Sequence, residues 1–439
     1  MSIDFEKYQN ILNQTHMTKD SGKVTEVTGL IIKGYIPGVS VGSICEVQTT
    51  VSSTPILAEV VGFKDRQVLM MSLAGQRGIA MGSKIILRKS IATVKVSEEL
   101  LGRVVDGLGQ PLDEGPELEI SNEVSLYKEV VNPLKRVPIR ETLDVGVRAI
   151  NAAITTGRGQ RVAIMSGSGV GKSVLMGMMA TQTEADINVI ALIGERGREV
   201  REFIENELGP EGMKKTIVVC VTSDQSPLLR MRGAFVATAI AEHFAHKGKK
   251  VLLVMDSITR FAMAMREIGL SIGEPPSTKG YTPSVFSTLP KLLERAGNFE
   301  NSGSITGFYT TLVESDDMND PIGDAVRSIV DGHIVLTRSL AHKGHFPAID
   351  ILQSASRVMK SVANSEHMRM AQKLREIIAT YNDAEDLINV GAYKTGANPK
   401  IDRAIKLIEP INDFLKQKTQ DHSNMDQCLR AMAQILQSA

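Results

Sequence analysis

Three stretches of this chain hold residue types that handle phosphate, metal and water. The first runs Arg161-Val-Ala-Ile-Met-Ser-Gly-Ser-Gly-Val-Gly-Lys-Ser173: an apolar strand, a glycine loop, then the start of a helix. Backbone N–H groups of such a loop, with the unpaired N–H groups of the helix's first turn, wrap a phosphate, and glycines allow the close approach. The candidate cradle is Gly167, Ser168, Gly169, Val170, Gly171, Lys172 and Ser173. Lys172 would reach the outer phosphates, and the Ser173 hydroxyl would bind Mg²⁺. The strict pattern has glycine where Ser166 stands, a position that opens the loop rather than cradling the anion. The second stretch, Val251-Leu-Leu-Val-Met-Asp256, ends an apolar run in a carboxylate able to hold a water of the Mg²⁺ shell. Many strands end in Asp; the glycine loop upstream gives this one its meaning. The third, Val189-Ile-Ala-Leu-Ile-Gly-Glu195-Arg-Gly-Arg198, puts Glu195 at the C-terminal end of another apolar run, where parallel sheets open their ligand crevice. There it would polarise the water that attacks the terminal phosphate. From spacing alone, a solvated strand end fits Glu195 almost as well.

Residues this far apart meet only if the elements bearing them lie side by side. From about Asp144 the apolar runs Val162 to Met165, Val189 to Ile193, Ile217 to Val221 and Val251 to Met255 alternate with helical segments. That texture predicts buried parallel strands with crossover helices, an α/β layer fold over 144–360. Upstream, over 23–96, short period-two runs such as Cys45 to Thr50 are punctuated by glycines, which predicts a small closed β-barrel. A Gly/Pro-rich connector spans 97–143. Beyond Ser361 strand signals fade, and Met370, Leu374, Ile377, Ile378 and Tyr381 recur at helical spacing, so 361–439 is expected to be a helical domain. Over 1–22, Phe5, Tyr8 and Leu12 share a helical stripe suited to a short docking helix or a frayed terminus.

Composition narrows the chemistry. The chain has 439 residues, enough for about three domains at ~150 residues each. Lys plus Arg and Asp plus Glu number 50 each, which argues against bulk-charge attachment to nucleic acid or anionic lipid. Trp is absent and only 7 Tyr and 11 Phe occur, leaving few platforms for stacking bases, so no nucleic-acid partner is expected. No apolar run approaches the ~20 residues that span a bilayer, and Asp4 and Glu6 are unlike the start of a secretory signal, so a cytoplasmic location is expected. Cys45, Cys220 and Cys428 show no metal or disulfide spacing and are expected in the core.

Longer words carry a resemblance. Ser168-Gly-Val-Gly-Lys-Ser173, Gly194-Glu-Arg196, Val254-Met-Asp-Ser-Ile-Thr-Arg260 and Pro347-Ala-Ile-Asp-Ile-Leu-Gln-Ser-Ala-Ser-Arg357 together resemble the rotary ATPase superfamily: F- and V-type ATP synthase subunits and their type III secretion relatives. Tyr281 to Gly297 and Asp316-Asp-Met-Asn-Asp-Pro321 are most similar to the flagellar and virulence export ATPases, and the likeness covers almost the whole chain. It implies a RecA-like P-loop core with a parallel sheet, preceded by a small N-terminal β-barrel and followed by a helical C-terminal domain. It also implies ATP and Mg²⁺ as cofactors, Glu195 as catalytic carboxylate, Arg196 as its neighbour near the γ-phosphate, Asp256 as the metal-side acid and Arg260 as a conformational link. Arg357 matches the arginine finger that enters the adjacent subunit's site. Phe346 falls where the family often has an aromatic against adenine, and Tyr393 is the candidate for the other side.

ATP synthases divide the working carboxylate and the finger between subunit types, whereas this chain carries both, so a ring of six identical chains would be fully catalytic. The resemblance further implies a central basic coiled-coil stalk met by Asp316, Asp317 and Asp320, a peripheral regulator on the N-terminal segment, and export cargo with chaperones at the inner face of the membrane. A solvated turn is the plain alternative for the acidic loop. The expected activity is ATP hydrolysis that energises flagellar type III export by releasing cargo from chaperones. Three alternatives stay open: a virulence secretion ATPase, an RNA translocase similar to Rho, and a non-catalytic nucleotide-binding subunit like those of V-type ATPases.

Overall fold

The computed structural model describes residues 20–51, 54–313 and 320–438. Six strands, β1 (Ser21–Thr28), β2 (Ile31–Tyr35), β3 (Ile44–Val47), β4 (Ile56–Lys64), β5 (Gln67–Ser72) and β6 (Lys84–Lys89), close into a barrel in the order β1-β2-β5-β4-β3-β6. Their inward residues, among them Val24, Ile32, Val47, Val60, Met70 and Ile85, make its core. Gly34 is required there, since a Cβ would lie 2.5 Å from the Ile85 side chain and 2.7 Å from the Lys23 carbonyl. The barrel strands belong to one compact unit, the described residues up to Thr93 with Ser226–Leu229 and Glu267–Pro275.

The remainder is a second unit built on a sheet in the order β14-β13-β8-β12-β11-β9-β10-β7. Its strands are β7 (Val104–Val105), β8 (Arg161–Ser166), β9 (Ile187–Glu195), β10 (Thr216–Thr222), β11 (Lys250–Asp256), β12 (Ser304–Leu312), β13 (Gly332–Leu336) and β14 (Ile349–Ser356). Every pair along this path is parallel except β13 with β14. All nine residues of β9 are buried, as expected of a parallel strand covered on both faces. The connector lends the sheet its edge strand β7, held where Asp113 accepts the Val104 N–H at 2.6 Å and pairs with Arg103 at 2.5 Å.

Of the helices that position the site, α1 (Arg148–Ala153), α2 (Lys172–Gln182), α3 (Gly197–Glu202), α4 (Pro321–Ile329) and α5 (Arg338–His342) precede or interleave with the last strands. Then come α6 (Ser365–Asn389), α7 (Pro399–Leu415) and α8 (Met425–Gln437), each opened by an asparagine whose side chain accepts a first-turn N–H: Asn364, Asn398 and Asn424. Leu374, Leu407, Ile411, Phe414 and Met432 from these helices share one hydrophobic core with Ile150 and Met179. The helical segment is therefore bonded into the layer that carries the glycine loop, and displacing it would expose that layer's own core. All three cysteines are buried and unpaired. Among the described residues no helix is long and apolar enough to cross a membrane.

Candidate active site

β8 ends at Ser166 and α2 begins at Lys172, so the intervening loop must reverse direction within five residues. Gly169 at φ 78° and Gly171 at φ 85°, the N-cap of α2, make that wrap possible in the left-handed region open to glycine. Gly167 and Val170 are buried; Ser168, Gly169 and Ser173 face out. The loop thus presents backbone N–H groups and the Ser173 hydroxyl together at the N-terminus of α2, the partial-positive end of the helix.

Parallel pairing brings the two carboxylates to the same edge. Leu192 of β9 pairs with Asp256 of β11, and Met255 pairs with Tyr309 of β12, next to Thr310. Asp256, 2% exposed, accepts from Lys172 Nζ at 2.5 Å and from Thr310 Oγ1 at 2.6 Å. Glu195, 7% exposed, lies 3.1 Å from Arg260 Nε, yet its Oε1 lacks a hydrogen-bond donor. Burial pushes the Glu195 carboxyl up to about 7; the charge of Asp256 adds to the rise, and Lys172 and Arg260 oppose it. Ser166 Oγ, at the end of β8, and Thr311 Oγ1, on β12, are likewise buried without partners. Uncompensated polar atoms gathered along one sheet edge are costly in isolation and suit a site that receives a polar ligand. The Asp256 carboxylate and the Ser173 hydroxyl are oxygen donors of the kind Mg²⁺ takes alongside phosphate oxygens and water.

Beside the loop opens a cavity of about 860 Å³, large enough for a base and ribose, lined by Arg148, Gly171, Val174, Met178 and Phe346 among others. Phe346 is 46% exposed, and its ring lies 3.5 Å from where a Gly171 Cβ would be. The cavity's other wall is the segment after α7: Gln417 donates its N–H to the Phe346 carbonyl at 2.9 Å, and its side chain accepts from the Arg148 N–H at 2.8 Å.

Not every sequence candidate converges there. Tyr393 does not line this cavity; its hydroxyl lies 3.0 Å from both the Asn398 carbonyl and Asp402 and orders the turn into α7. Arg196 caps α3 and is paired with Glu199 at 3.3 Å, its side chain largely exposed. Asp320 is an N-cap, accepting from the Ile322 and Gly323 N–H groups at 3.0 Å each, and is thereby occupied by its own helix α4. Asp316, Asp317 and the stripe Phe5, Tyr8 and Leu12 lie outside the described residues. Arg357 sits at the opposite edge of the sheet. β14 is antiparallel, so Ile349 pairs with Leu336 beside the glycine loop and Ser356 pairs with Gly332 at the far end. Arg357 donates its N–H to the Asp331 carbonyl at 2.9 Å, level with the start of β8 and roughly 16 Å from the loop at ~3.3 Å per residue. An arginine so placed serves another chain's site or none.

Sequence reasoning missed Thr310, Arg148, the Gln417 segment and Arg338, whose guanidinium lies 3.2 Å from where a Gly167 Cβ would be. None carries a local signal; each is an ordinary polar residue placed by folding.

Known proteins show the same arrangement over nearly the whole chain. Residues 146–356 match the nucleotide-binding domain of the ATP synthase alpha/beta family, and residues 363–434 match the type III secretion EscN ATPase C-terminal domain. The flagellum-specific ATP synthase of Bacillus subtilis (strain 168) is 51% identical over 433 residues, covering 98% of this chain and 99% of that protein. The chain belongs to the type III export ATPases of the ATP synthase alpha/beta family. The type 3 secretion system ATPase of Xanthomonas euvesicatoria is 46% identical over 418 residues, covering 95% of this export ATPase and 94% of that one. The assembled EscN ATPase of enteropathogenic E. coli superposes with a TM-score of 0.89 at 46% identity, covering 94% of this chain and all of that one. EscN in complex with its central stalk EscO superposes at 0.88, with 44% identity and the same coverage.

In this export ATPase, Phe346→Ala should raise the KM for ATP and leave kcat unchanged. A base stacked on an aromatic ring contributes ~1–3 kcal/mol, or about 5- to 150-fold in affinity. Steady-state ATPase kinetics test this, and an unaltered KM removes Phe346 from the base pocket.

Proposed function

We propose that this chain hydrolyses Mg²⁺-bound ATP in a ring of six identical subunits, and that hydrolysis energises flagellar type III protein export by freeing cargo from chaperones. One observation carries the reading: a single chain holds a buried carboxylate, Glu195, beside its phosphate loop and an arginine, Arg357, at the far edge of the same sheet. Head-to-tail packing of identical copies completes every site, and such heterologous contacts close into rings. The flagellar assignment follows the flagellum-specific relative at 51% identity; the virulence-system relative, at 46%, is the second reading.

Each step then has a residue. The loop N–H groups and Lys172 bind the phosphates, and Lys172 must leave Asp256, 2.5 Å away, to do so. The freed Asp256 and the Ser173 hydroxyl would hold Mg²⁺, which when bound offsets charge on the β- and γ-phosphates. Glu195, poised near 7, orients the attacking water and accepts its proton as the bond from water to the γ-phosphorus forms and the bond to the β–γ bridging oxygen breaks, leaving ADP and phosphate. Arg357 from the neighbour balances the charge spreading over the transferring group, and Arg196 joins it only by releasing Glu199, 3.3 Å away. Adenine lies against Phe346, with the Gln417 segment as the opposing wall in place of Tyr393. The acidic pair Asp316 and Asp317 meets a basic coiled-coil stalk, the N-terminal segment receives the peripheral regulator, and the ring works at the cytoplasmic face of the membrane. The EscN–EscO complex supports a stalk for this family.

The test is ATPase rate against protein concentration, with and without RNA and a purified basic stalk protein. Specific activity should rise with concentration and be stimulated by the stalk, but not by RNA. RNA stimulation favours a translocase instead, and zero turnover at every concentration favours a non-catalytic subunit.

A further inference from the structure

The strand leading to Arg357 departs from its ladder just before the arginine. Two steps along β13, from His333 to Val335, are matched by five along β14, from Ala355 back to Asp350. The excess is odd, and an odd insertion reverses the face to which every later residue points, so this bulge decides where Arg357 is aimed. Bulge residues lose their ladder partners, and here substitutes are built in. Asp350 Oδ1 accepts the Leu352 and Gln353 N–H groups at 2.9 and 3.0 Å, and His333 Nε2 donates to the Gln353 carbonyl at 2.9 Å. Ser354 Oγ donates to the Asp350 carbonyl at 2.5 Å and accepts the Val335 N–H at 2.9 Å.

The remaining partner comes from the helical segment. Arg375 of α6 donates through Nη1 to the Ile351 carbonyl at 2.5 Å, and through Nη2 to the Ser354 carbonyl at 2.9 Å and the Ala153 carbonyl, at the end of α1, at 3.0 Å. One planar guanidinium therefore spans both ends of the bulge and the end of α1, a fixed fork that lysine's single ammonium cannot reproduce. Arg357 follows three positions after Ser354, and its own guanidinium donates to the Arg327 carbonyl at 3.2 Å. Its direction is thus inherited from the backbone behind it.

We propose that Arg375 is a positioning residue for Arg357: by clamping the bulge to α6 it fixes the direction in which the finger is presented to the next subunit. Movement of the C-terminal helices then reaches the neighbour's γ-phosphate through this side chain as well as along the short segment that joins Arg357 to α6. The inference rests on the reading of Arg357 as a finger that acts in trans. A misplacement of about 1 Å costs on the order of 10²-fold in rate, so Arg375→Met should lower turnover by about that factor. The KM for ATP should not change, because the base cavity and glycine loop are not touched.

The decisive experiment mixes chains. Arg375→Met keeps its own Glu195 and glycine loop, whereas Glu195→Gln keeps a correctly aimed finger. Co-assembled rings should hydrolyse ATP faster than either variant alone, at interfaces where the first donates the site and the second the finger. Arg357→Ala mixed with Glu195→Gln is the control. Gain in both mixtures establishes the clamp. Gain in the control alone overturns it and leaves the finger standing, since a merely structural defect would follow the Arg375→Met chain into every interface. No gain in either, with co-assembly shown by native mass spectrometry, overturns the finger and the clamp together. If Arg375→Met does not assemble, Arg375→Lys is scored in the same mixtures; it keeps the charge but loses the fork, and wild-type turnover by its homogeneous rings refutes the clamp.

Discussion

Lys172→Ala should abolish ATP binding, whereas Glu195→Gln should bind ATP at wild-type affinity and lose turnover by about 10²- to 10⁴-fold. The contrast follows from where each group acts. The Lys172 ammonium meets phosphate charge in the ground state, so its loss is a loss of affinity; Glu195 acts only where water attacks, so its loss is confined to kcat. Fluorescent-nucleotide titration and steady-state rates separate the two, and equal affinity of wild type and Lys172→Ala would remove the phosphate assignment. The carboxyl pKa of about 7 gives two further readouts. The base must be ionised, so kcat/KM of the wild type should climb with pH through about 7, as expected of the free enzyme's titrating base. A carboxyl raised from 4.5 to about 7 carries a charge above pH 7 that the fold would rather lack. At pH 8, Glu195→Gln should therefore be the more stable protein, and the difference should shrink as pH falls below about 7 and the wild-type carboxyl is protonated. A lower unfolding temperature for the variant, or a flat pH profile for the wild type, would show that Glu195 is not held this way.

What the sequence made legible, and what it hid, divides along the range of the interactions. Arg161 to Ser173 is a local word: strand, glycine turn and helix start are fixed by neighbours in the chain, so the cradle could be placed residue by residue before any fold was known. The apolar runs ending in Glu195 and Asp256 were readable for the same reason, since parallel strands buried on both faces announce themselves. The barrel followed from its glycines and period of two. The rear wall of the base cavity was not readable, because Gln417 meets Arg148 across 269 positions and the segment bearing it is a polar loop like any other. Tyr393 has the chemistry of a base-stacking aromatic, but packing turns its hydroxyl onto the Asn398 backbone, where it orders its own loop. Asp320 looked like one of three equivalent acids, but it lies next to Pro321, where a cap belongs, and the helix takes it. The Arg375 clamp had no signal at all, since arginine on a helix is ordinarily solvated and only folding brings it two carbonyls of a bulged strand and a third from the end of α1.

Arg357→Ala should lower turnover on the order of 10³-fold and leave ATP affinity almost unchanged, as for other fingers that neutralise charge developing in transfer. The register makes the prediction sharp: Arg357 is level with the start of β8, at the wrong edge of its own sheet to touch the phosphates Lys172 holds. The loss must therefore be felt one subunit away. Three consequences distinguish this from a finger acting within the chain. Dilution should depress wild-type specific activity by separating each site from its finger, and dilution should have little further effect on Arg357→Ala. Mixed rings of Arg357→Ala with Glu195→Gln should regain activity at those interfaces that pair an intact Glu195 with an intact Arg357. The regained rate should depend on mixing ratio, with a maximum at intermediate composition, because each competent interface needs one chain of each kind in the correct order around the ring. Rates across a ratio series, with co-assembly verified at each point, are the measurement. A rate that only interpolates between the two homogeneous rings would place Arg357 outside the neighbour's site, and the fully catalytic ring of identical chains would lose its physical basis.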